Sequence, residues 1–219
     1  MMTGGLILIS LLWYFGYVYS RINREYAFIH MAQRMISREF FGRGLEDELR
    51  HIALERDEVK QDHFDVITKD CDIIDVEDAM ELEDFLKMIS KSVAKKSGMA
   101  EDRLLRKFIA REEESSTVLK PGLAVPHIVV DGEHLFDMIL VRCAGGISFP
   151  GQEKPITAAF VLFGTRDERN FHLKALMAIA HIVEEPGFNE RWENARNEED
   201  LRDIILLSKR ARTAKTESN

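Results

Sequence analysis

The sequence predicts an α/β domain whose mixed β-sheet is flanked by helices, preceded by an N-terminal membrane helix and a helical connector. Three observations support this fold class. All five prolines lie after residue 120, so the first half of the chain can be helical without interruption. Short apolar runs separated by glycine and proline then occupy residues 123–163, as strands do, and a longer helical repeat follows. Helices, then strands, then helices are typical of a layered α/β fold.

The N-terminal segment Met1–Ser20 contains no charged residue. Twenty residues in a helix span about 30 Å, the thickness of the hydrocarbon core of a bilayer. Aromatic residues end this segment, and Arg21 and Arg24 follow it, where an interfacial belt and a positive cytoplasmic flank are expected. We therefore expect residues 4–20 to anchor the chain in the membrane, with the rest of the chain at its cytoplasmic face. A buried helix of a soluble protein is the alternative.

The segment 21–74 is expected to be a charged helical connector between the membrane and the domain. Its second half, Leu45–His63, is so rich in both charge signs that it indicates a solvated helix rather than a binding patch. We expect the compact domain to cover residues 75–210. The polar tail 211–219 is predicted to be disordered.

Within the domain, apolar spacing and turn residues predict each element in order. Two helices come first, one from Leu82 that stops at Gly98 and one near Ala100–Glu114. The predicted strands are Leu123–Val125, Ile128–Val130, Phe136–Arg142 and Ala158–Phe163. A long helix from about Asn170 to Glu185 is closed by Pro186-Gly187, and shorter helices follow around Trp192 and over Leu201–Leu207.

Charge and motifs exclude several classes of function. A net charge of −8 gives nucleic-acid binding no electrostatic support. Cys71 and Cys143 form no CxxC pair, which excludes a disulfide scaffold or a cysteine-rich zinc module. The sequence has no HExxH motif, EF-hand loop, GxGxxG motif, phosphate-binding P-loop or GxSxG elbow. We therefore expect neither a bound nucleotide nor a metal cofactor.

Two of the seven histidines have neighbours that suggest chemistry. His127 follows Pro126, which fixes the backbone angle, and the hydroxyl-bearing residues 115–117 precede it. An imidazole presented in this way suits nucleophilic attack on phosphorus. His172 opens the long helix, where the free backbone N–H groups favour a neutral ring and attract anions. An ordinary loop histidine and a packing histidine are the alternatives. The other candidates, which we expect at the surface or in packing roles, include His30, His51, His63 and His181.

The segment Arg111–His127, with the sequence REEESSTVLKPGLAVPH, resembles a known active-site signature. It is similar to the IIA domains of the bacterial phosphoenolpyruvate-dependent sugar phosphotransferase system (PTS), of the fructose, mannitol and nitrogen-regulatory type. In that family an Arg-Glu pair ends the second helix, and a run of Ala, an apolar residue, Pro and His closes the motif. The second family element, a His-Leu pair that opens the long helix, is matched by His172-Leu173. The resemblance covers about residues 75–208.

The resemblance implies a phosphocarrier that needs no cofactor. His127 would accept phosphate from HPr or a nitrogen-system relative and pass it to a IIB domain. His172 would contact the ring or the phosphate, Arg111 would offer a planar cation, and Thr117 would offer a hydroxyl. The family histidine is usually followed by a small residue, so we expect Ile128 to narrow access to the ring.

Two other functions remain open at this point. In the first, the domain is a regulatory or interaction module, without useful catalysis, that controls an attached or associated membrane permease. The predicted membrane helix and the lack of a IIB-like segment motivate this hypothesis, since some permeases end in a IIA-like domain. In the second, His127 and His172 bind a metal ion together with a carboxylate.

Overall fold

In a computed structural model of the chain, the residues described are 62–210 and 212. Six helices form in this part: α1 (His63–Asp70), α2 (Leu82–Ser97), α3 (Glu101–Glu114), α4 (Arg169–Val183), α5 (Phe188–Glu193) and α6 (Glu198–Leu206). The strands are β1 (Asp72–Val76), β2 (Met80–Glu81), β3 (Val118–Lys120), β4 (Leu123–Ala124), β5 (His127–Val129), β6 (Phe136–Ser148) and β7 (Ile156–Gly164). A short 3₁₀ helix, Arg166–Glu168, leads into α4.

The strands form one mixed sheet around the long antiparallel pair β6–β7. The order is β1-β6-β7-β4-β3, with β2 also paired to β6 and β5 also paired to β7. Strands β1 and β2 run parallel to β6, and β4 and β5 run parallel to β7. The predicted fold class, a mixed sheet flanked by helices, is therefore confirmed.

Both faces of the central strands are covered, because successive residues of a strand point to opposite faces. Leu140 and Leu162 belong to the core shared with α1, α4, α5 and α6, whereas Val141 and Phe163 belong to the core shared with α2 and α3. A strand buried on both faces reads as a continuous apolar run, which is why β6 and β7 were recognisable from the sequence.

The folded unit extends to the N-terminal side of residue 75, the boundary expected from the sequence. Strand β1 starts at Asp72, in what was predicted as a helical connector, and pairs with β6 along its whole length. Helix α1 precedes it, and the ring of His63, expected at the surface, lies 4.1 Å from that of Phe171, centroid to centroid. Strand β1 has only five residues, which are too few for the alternating pattern of a strand to be distinguished from a helical pattern. This explains why the domain boundary was expected too late in the chain.

The C-terminal end of the domain closes over α1. Arg210, 7% exposed, makes two contacts of 2.6 Å with Asp62 and one of 2.8 Å with Asp65. Arg212 donates to Asp65 at 2.9 Å, so this residue of the tail predicted to be disordered has a defined partner. Two arginines and two aspartates thus connect the two ends of the domain.

The predicted membrane helix, Met1–Ser20, and most of the connector lie outside the described residues. Among the helices of residues 62–210, none is both long enough and apolar enough to cross a membrane.

Candidate functional site

His127 is the first residue of β5 and points to the face of the sheet that carries α4. Its position pairs with Leu162 of β7, which belongs to the core on the α4 side, while the position of Ile128 pairs with Phe163 on the other face. Ile128 is 4% exposed and packs in the core with α2 and α3. The expectation that Ile128 narrows access to the imidazole is therefore wrong, because adjacent strand residues point to opposite faces.

The hydrogen bonds of His127 define which ring nitrogen carries the proton. Nδ1 lies 2.9 Å from the carbonyl oxygen of Val125, and Nε of Arg111 lies 3.1 Å from Nε2. A carbonyl can only accept a hydrogen bond and a guanidinium can only donate one. The proton therefore sits on Nδ1, and the lone pair of Nε2 faces Arg111.

The environment of His127 keeps its imidazole neutral near pH 7. Burial of the ring is the main cause that lowers its pKa below the usual 6.5, and the positive charge of Arg111 lowers the pKa further. The carbonyl of Val125 and the charge of Glu112 act in the opposite direction. The net effect favours the neutral ring, which is the form that can attack phosphorus.

His172, in the first turn of α4, stands edge-on to His127. The ring centroids are 5.4 Å apart with an interplanar angle of 67°. Burial, and then the proximity of His127, lower the pKa of His172 to about 4. The ring of Phe136 contacts His172 from another side, with a centroid separation of 5.8 Å. The site therefore holds two neutral imidazoles in contact.

Arg111 reaches the site from the last turn of α3. Besides Nε, its Nη1 donates to the carbonyl oxygen of Ser115 at 2.8 Å, where the chain leaves the helix. The two contacts hold the guanidinium between the end of the helix and the imidazole of His127. The structure thus brings together three of the four predicted site residues: Arg111, His127 and His172.

Thr117 is placed differently from the expectation that its hydroxyl serves the site. The hydroxyl donates to Oε2 of Glu112 at 2.5 Å, and the backbone N–H of Thr117 points at the same carboxylate. A hydroxyl has a single proton, so this one is not available to a phosphate. Thr117 is 7% exposed and orders the loop that follows α3.

Sequence reasoning assigned no role to three contributors to the site: Glu112, which it noted only as part of the Arg-Glu pair, Phe136 and the carbonyl of Val125. Glu112 directly follows Arg111, and an acidic residue shortly before a Ser/Thr cluster at a helix end is a signal that could have identified it. The other two depend on how β5 and β6 lie against α4, which no local pattern reveals.

Within residues 62–210, no third ligand lies close enough to His127 and His172 to support the metal-site hypothesis. In the described part of the chain, the one group of three possible ligands within 4.8 Å of one another is His134, Asp167 and Glu168. There Nδ1 of His134 lies 3.1 Å from Oδ2 of Asp167, and the side chain of His134 is 82% exposed. This contact joins the β5–β6 loop to the 3₁₀ helix that precedes α4 and does not involve the two site histidines.

The sequence of the described domain is similar to those of known proteins. Residues 65–207 match the sequence model of the family described as "Phosphoenolpyruvate-dependent sugar phosphotransferase system, EIIA 2". A nitrogen regulatory protein of Klebsiella oxytoca is 26% identical over 122 residues, which is 55% of this chain and 75% of that protein. A multiphosphoryl transfer protein of Escherichia coli is 25% identical over 154 residues, 67% of this chain but only 39% of that protein.

The fold is also found among solved structures. The crystal structure of the nitrogen regulatory protein IIA-Ntr from Neisseria meningitidis superposes with a TM-score of 0.56 at 21% sequence identity. The match covers 61% of this chain and 91% of that one. At this identity the likeness shows a shared fold.

Proposed function

Since the chain belongs to the EIIA 2 family of the phosphoenolpyruvate-dependent sugar phosphotransferase system, we propose that it carries a phosphoryl group on Nε2 of His127. Members of this family are the phosphohistidine-carrying components of a transferase system. The observation that carries the proposal for these residues is the pair of hydrogen bonds on His127, which leave the lone pair on Nε2 and the proton on Nδ1.

The chemical step needs only this imidazole and a phosphorylated donor. The Nε2 lone pair attacks phosphorus, the new N–P bond forms, and the N–P bond of the donor phosphohistidine breaks, with its electron pair returning to the donor ring. The proton of His127 stays on Nδ1, so the ring gains positive charge as the bond forms. The carbonyl of Val125, 2.9 Å from Nδ1, stabilises that charge.

Arg111 has two successive roles in this scheme. Before transfer its Nε–H is donated to Nε2, which occupies the lone pair that must attack. The guanidinium must therefore turn from the nitrogen as the phosphoryl group arrives. It then lies beside the phosphoryl oxygens, where a planar cation with several N–H groups neutralises their charge.

The neutral imidazole of His172 borders the space that the phosphoryl group on His127 would occupy. With a pKa of about 4 it carries no charge at pH 7, so it does not compete with His127 for a proton. Its ring lies edge-on at a centroid separation of 5.4 Å, from where one N–H can donate to a phosphoryl oxygen. His172 is thus a contact for the phosphoryl group, and His127 is the residue that bonds to it.

The partners that fit this role are a donor like phospho-HPr and an acceptor of the IIB type. Both must bring a reacting group to His127, and the surface near the site offers apolar contacts for docking. Leu173 and Met177, which follow His172 on α4, are 52% and 64% exposed, and Leu119 of β3 is 49% exposed. A docking partner that covers both α4 and β3 would bury these side chains and remove their apolar surface from water.

The test is phosphorylation of the full-length chain with phosphoenolpyruvate, enzyme I and HPr from the source organism. We expect the intact mass of the wild type to increase by one acid-labile phosphate, and that of His127→Ala to stay unchanged. His181→Ala serves as the matched control, because His181 lies exposed near the end of α4, and it should be phosphorylated normally. An unlabelled wild type, given a donor shown to be active, would refute the proposal.

A second candidate function is regulation of a membrane transporter. The relative from Klebsiella oxytoca that is a nitrogen regulatory protein favours a regulatory output, and the predicted anchor at residues 4–20 would place it at a membrane. Here phosphorylation of His127 would alter binding to an associated permease. Equal transport with and without residues 62–219, measured in cells, would rule this function out.

A further inference from the structure

Glu112 lies one residue beyond Arg111, at the end of α3. Its carboxylate is directed at the loop that leads to β3. We propose that Glu112 is a positioning residue for phosphoryl transfer, which acts through Thr117 and Val125 to hold His127 with its proton on Nδ1. The inference rests on the proposed function for its consequence on rate, but the position of the proton is a separate property.

The first link from Glu112 to His127 is the set of hydrogen bonds between Glu112 and Thr117. The carboxylate accepts from the backbone N–H of Thr117, with its two oxygens at 3.2 Å and 3.0 Å, and from the hydroxyl at 2.5 Å. Hydrogen bonds to a charged acceptor are stronger than those between neutral groups. Thr117 is 7% exposed, so water has little access to replace the carboxylate.

The second step passes from Thr117 to the imidazole through the backbone of Val125. The carbonyl of Thr117 accepts the N–H of Val125 at 2.8 Å, and the carbonyl of Val125 faces Nδ1 of His127 at 2.9 Å. Pro126, between them, has no N–H, and its carbonyl accepts the N–H of Leu162 at 2.9 Å. The direction of the Val125 carbonyl is thus fixed from the Thr117 side and from β7.

The position of that carbonyl decides the tautomer of His127. In a neutral imidazole one nitrogen carries the proton, and the hydrogen bond made by that nitrogen selects which one it is. If the carbonyl turns away, the proton can move to Nε2, and this tautomer has no lone pair there to attack phosphorus. Arg111 on the other nitrogen favours the same tautomer, so the ring is held from both sides.

The negative charge of Glu112 has a second effect on His127 that also favours phosphoryl transfer. It opposes Arg111 by raising the pKa of His127, which is lowered mainly by burial. A more basic imidazole is a better nucleophile, provided that it remains neutral. Last-turn residues of one helix, Arg111 and Glu112, thus act on opposite ring nitrogens of His127, one directly and one through the loop.

The experiment uses the full-length chain with 15N in the histidine rings. Two-bond 1H–15N correlation spectra report which ring nitrogen is protonated, and the signals of His127 are assigned by their loss in His127→Ala. In the wild type we expect a protonated Nδ1 and an unprotonated Nε2. Glu112→Ala should give a mixture of the two tautomers and a phosphorylation rate reduced by about ten- to a hundredfold, by analogy with the loss of outer partners of metal-bound histidines.

Glu113→Ala is the matched control, since Glu113 is the exposed neighbour in the same helix turn, and it should keep both the wild-type spectrum and the wild-type rate. Thr117→Val, which removes the hydroxyl but retains the N–H, should shift the tautomer in the same direction as Glu112→Ala and by less. It keeps the test decisive if Glu112→Ala fails to fold. Unchanged ring signals in folded Glu112→Ala or, failing that, in Thr117→Val would overturn the proposal, even if the rate falls. A tautomer shift in a chain that no donor phosphorylates would support the positioning role and refute the phosphocarrier function.

Discussion

His172 should make the stability of the domain depend on pH. Its pKa is about 4 in the folded state, because of burial and of His127, and near 6.5 in an unfolded chain. Between pH 4 and pH 6.5 the imidazole of His172 binds a proton in the unfolded chain but not in the folded domain. Stability is therefore complete above pH 6.5 and falls as the pH decreases toward 4.

The size of the effect follows from the two pKa values. At pH 5 the unfolded ring is almost fully protonated and the folded one is not, which corresponds to about 2 kcal/mol of lost stability. The ring is only partly buried, and water screens such effects, so we expect about half of this, about 1 kcal/mol. The loss should be absent from His172→Gln, whose side chain does not titrate.

The assay is urea unfolding of the full-length wild type and of His172→Gln at pH 7.5 and pH 5, followed by circular dichroism. Carboxylates also titrate in this range, but they are common to both chains, so the difference between the two pH dependences isolates His172. We expect the wild type to lose about 1 kcal/mol more than the variant between the two pH values. Identical pH dependences would refute the assignment of a partly buried, neutral His172.

Three further outcomes are expected. Arg210→Ala should lower the unfolding free energy by about 3 kcal/mol in urea, because it removes the buried positive charge that faces Asp62 and Asp65. A change below about 0.5 kcal/mol, the range of surface substitutions, would contradict this. Gly164→Ala should lower the melting temperature, because the added Cβ would lie 2.8 Å from Cδ2 of Phe136. The ring of Phe136 is the one that contacts His172. An unchanged melting temperature would show that Phe136 moves freely. Cys71 and Cys143 are buried, with pKa values raised by burial, to about 11 for Cys71, so an aromatic disulfide reagent should react with both thiols only after unfolding.

The sequence predicted the residues of the candidate site better than the contacts among them. Arg111, His127 and His172 could be identified because each lies in a local motif with a specific spacing. The edge-on contact of the two rings depends on α4 packing against β7, an arrangement that no local motif encodes. The same motif suggested Thr117, but not that its hydroxyl is donated to Glu112 rather than to the site.

The misplaced elements have equally specific causes. Strand β1 is short and lies next to helical sequence, so its pairing with β6 is decided by tertiary contacts. The orientation of Ile128 could have been predicted, because strand alternation places it opposite His127. The association of Arg210 with Asp62 joins residues far apart in the chain and is not visible in any local pattern.

The central claim is that Nε2 of His127 forms the bond to phosphorus. The most direct test is 15N NMR of the phosphorylated full-length chain with labelled histidine rings, in which coupling to 31P identifies the bonded nitrogen. The account predicts coupling to Nε2 of His127 and an Nδ1 that keeps its proton. A phosphoryl group on Nδ1 of His127, or on His172, would contradict it.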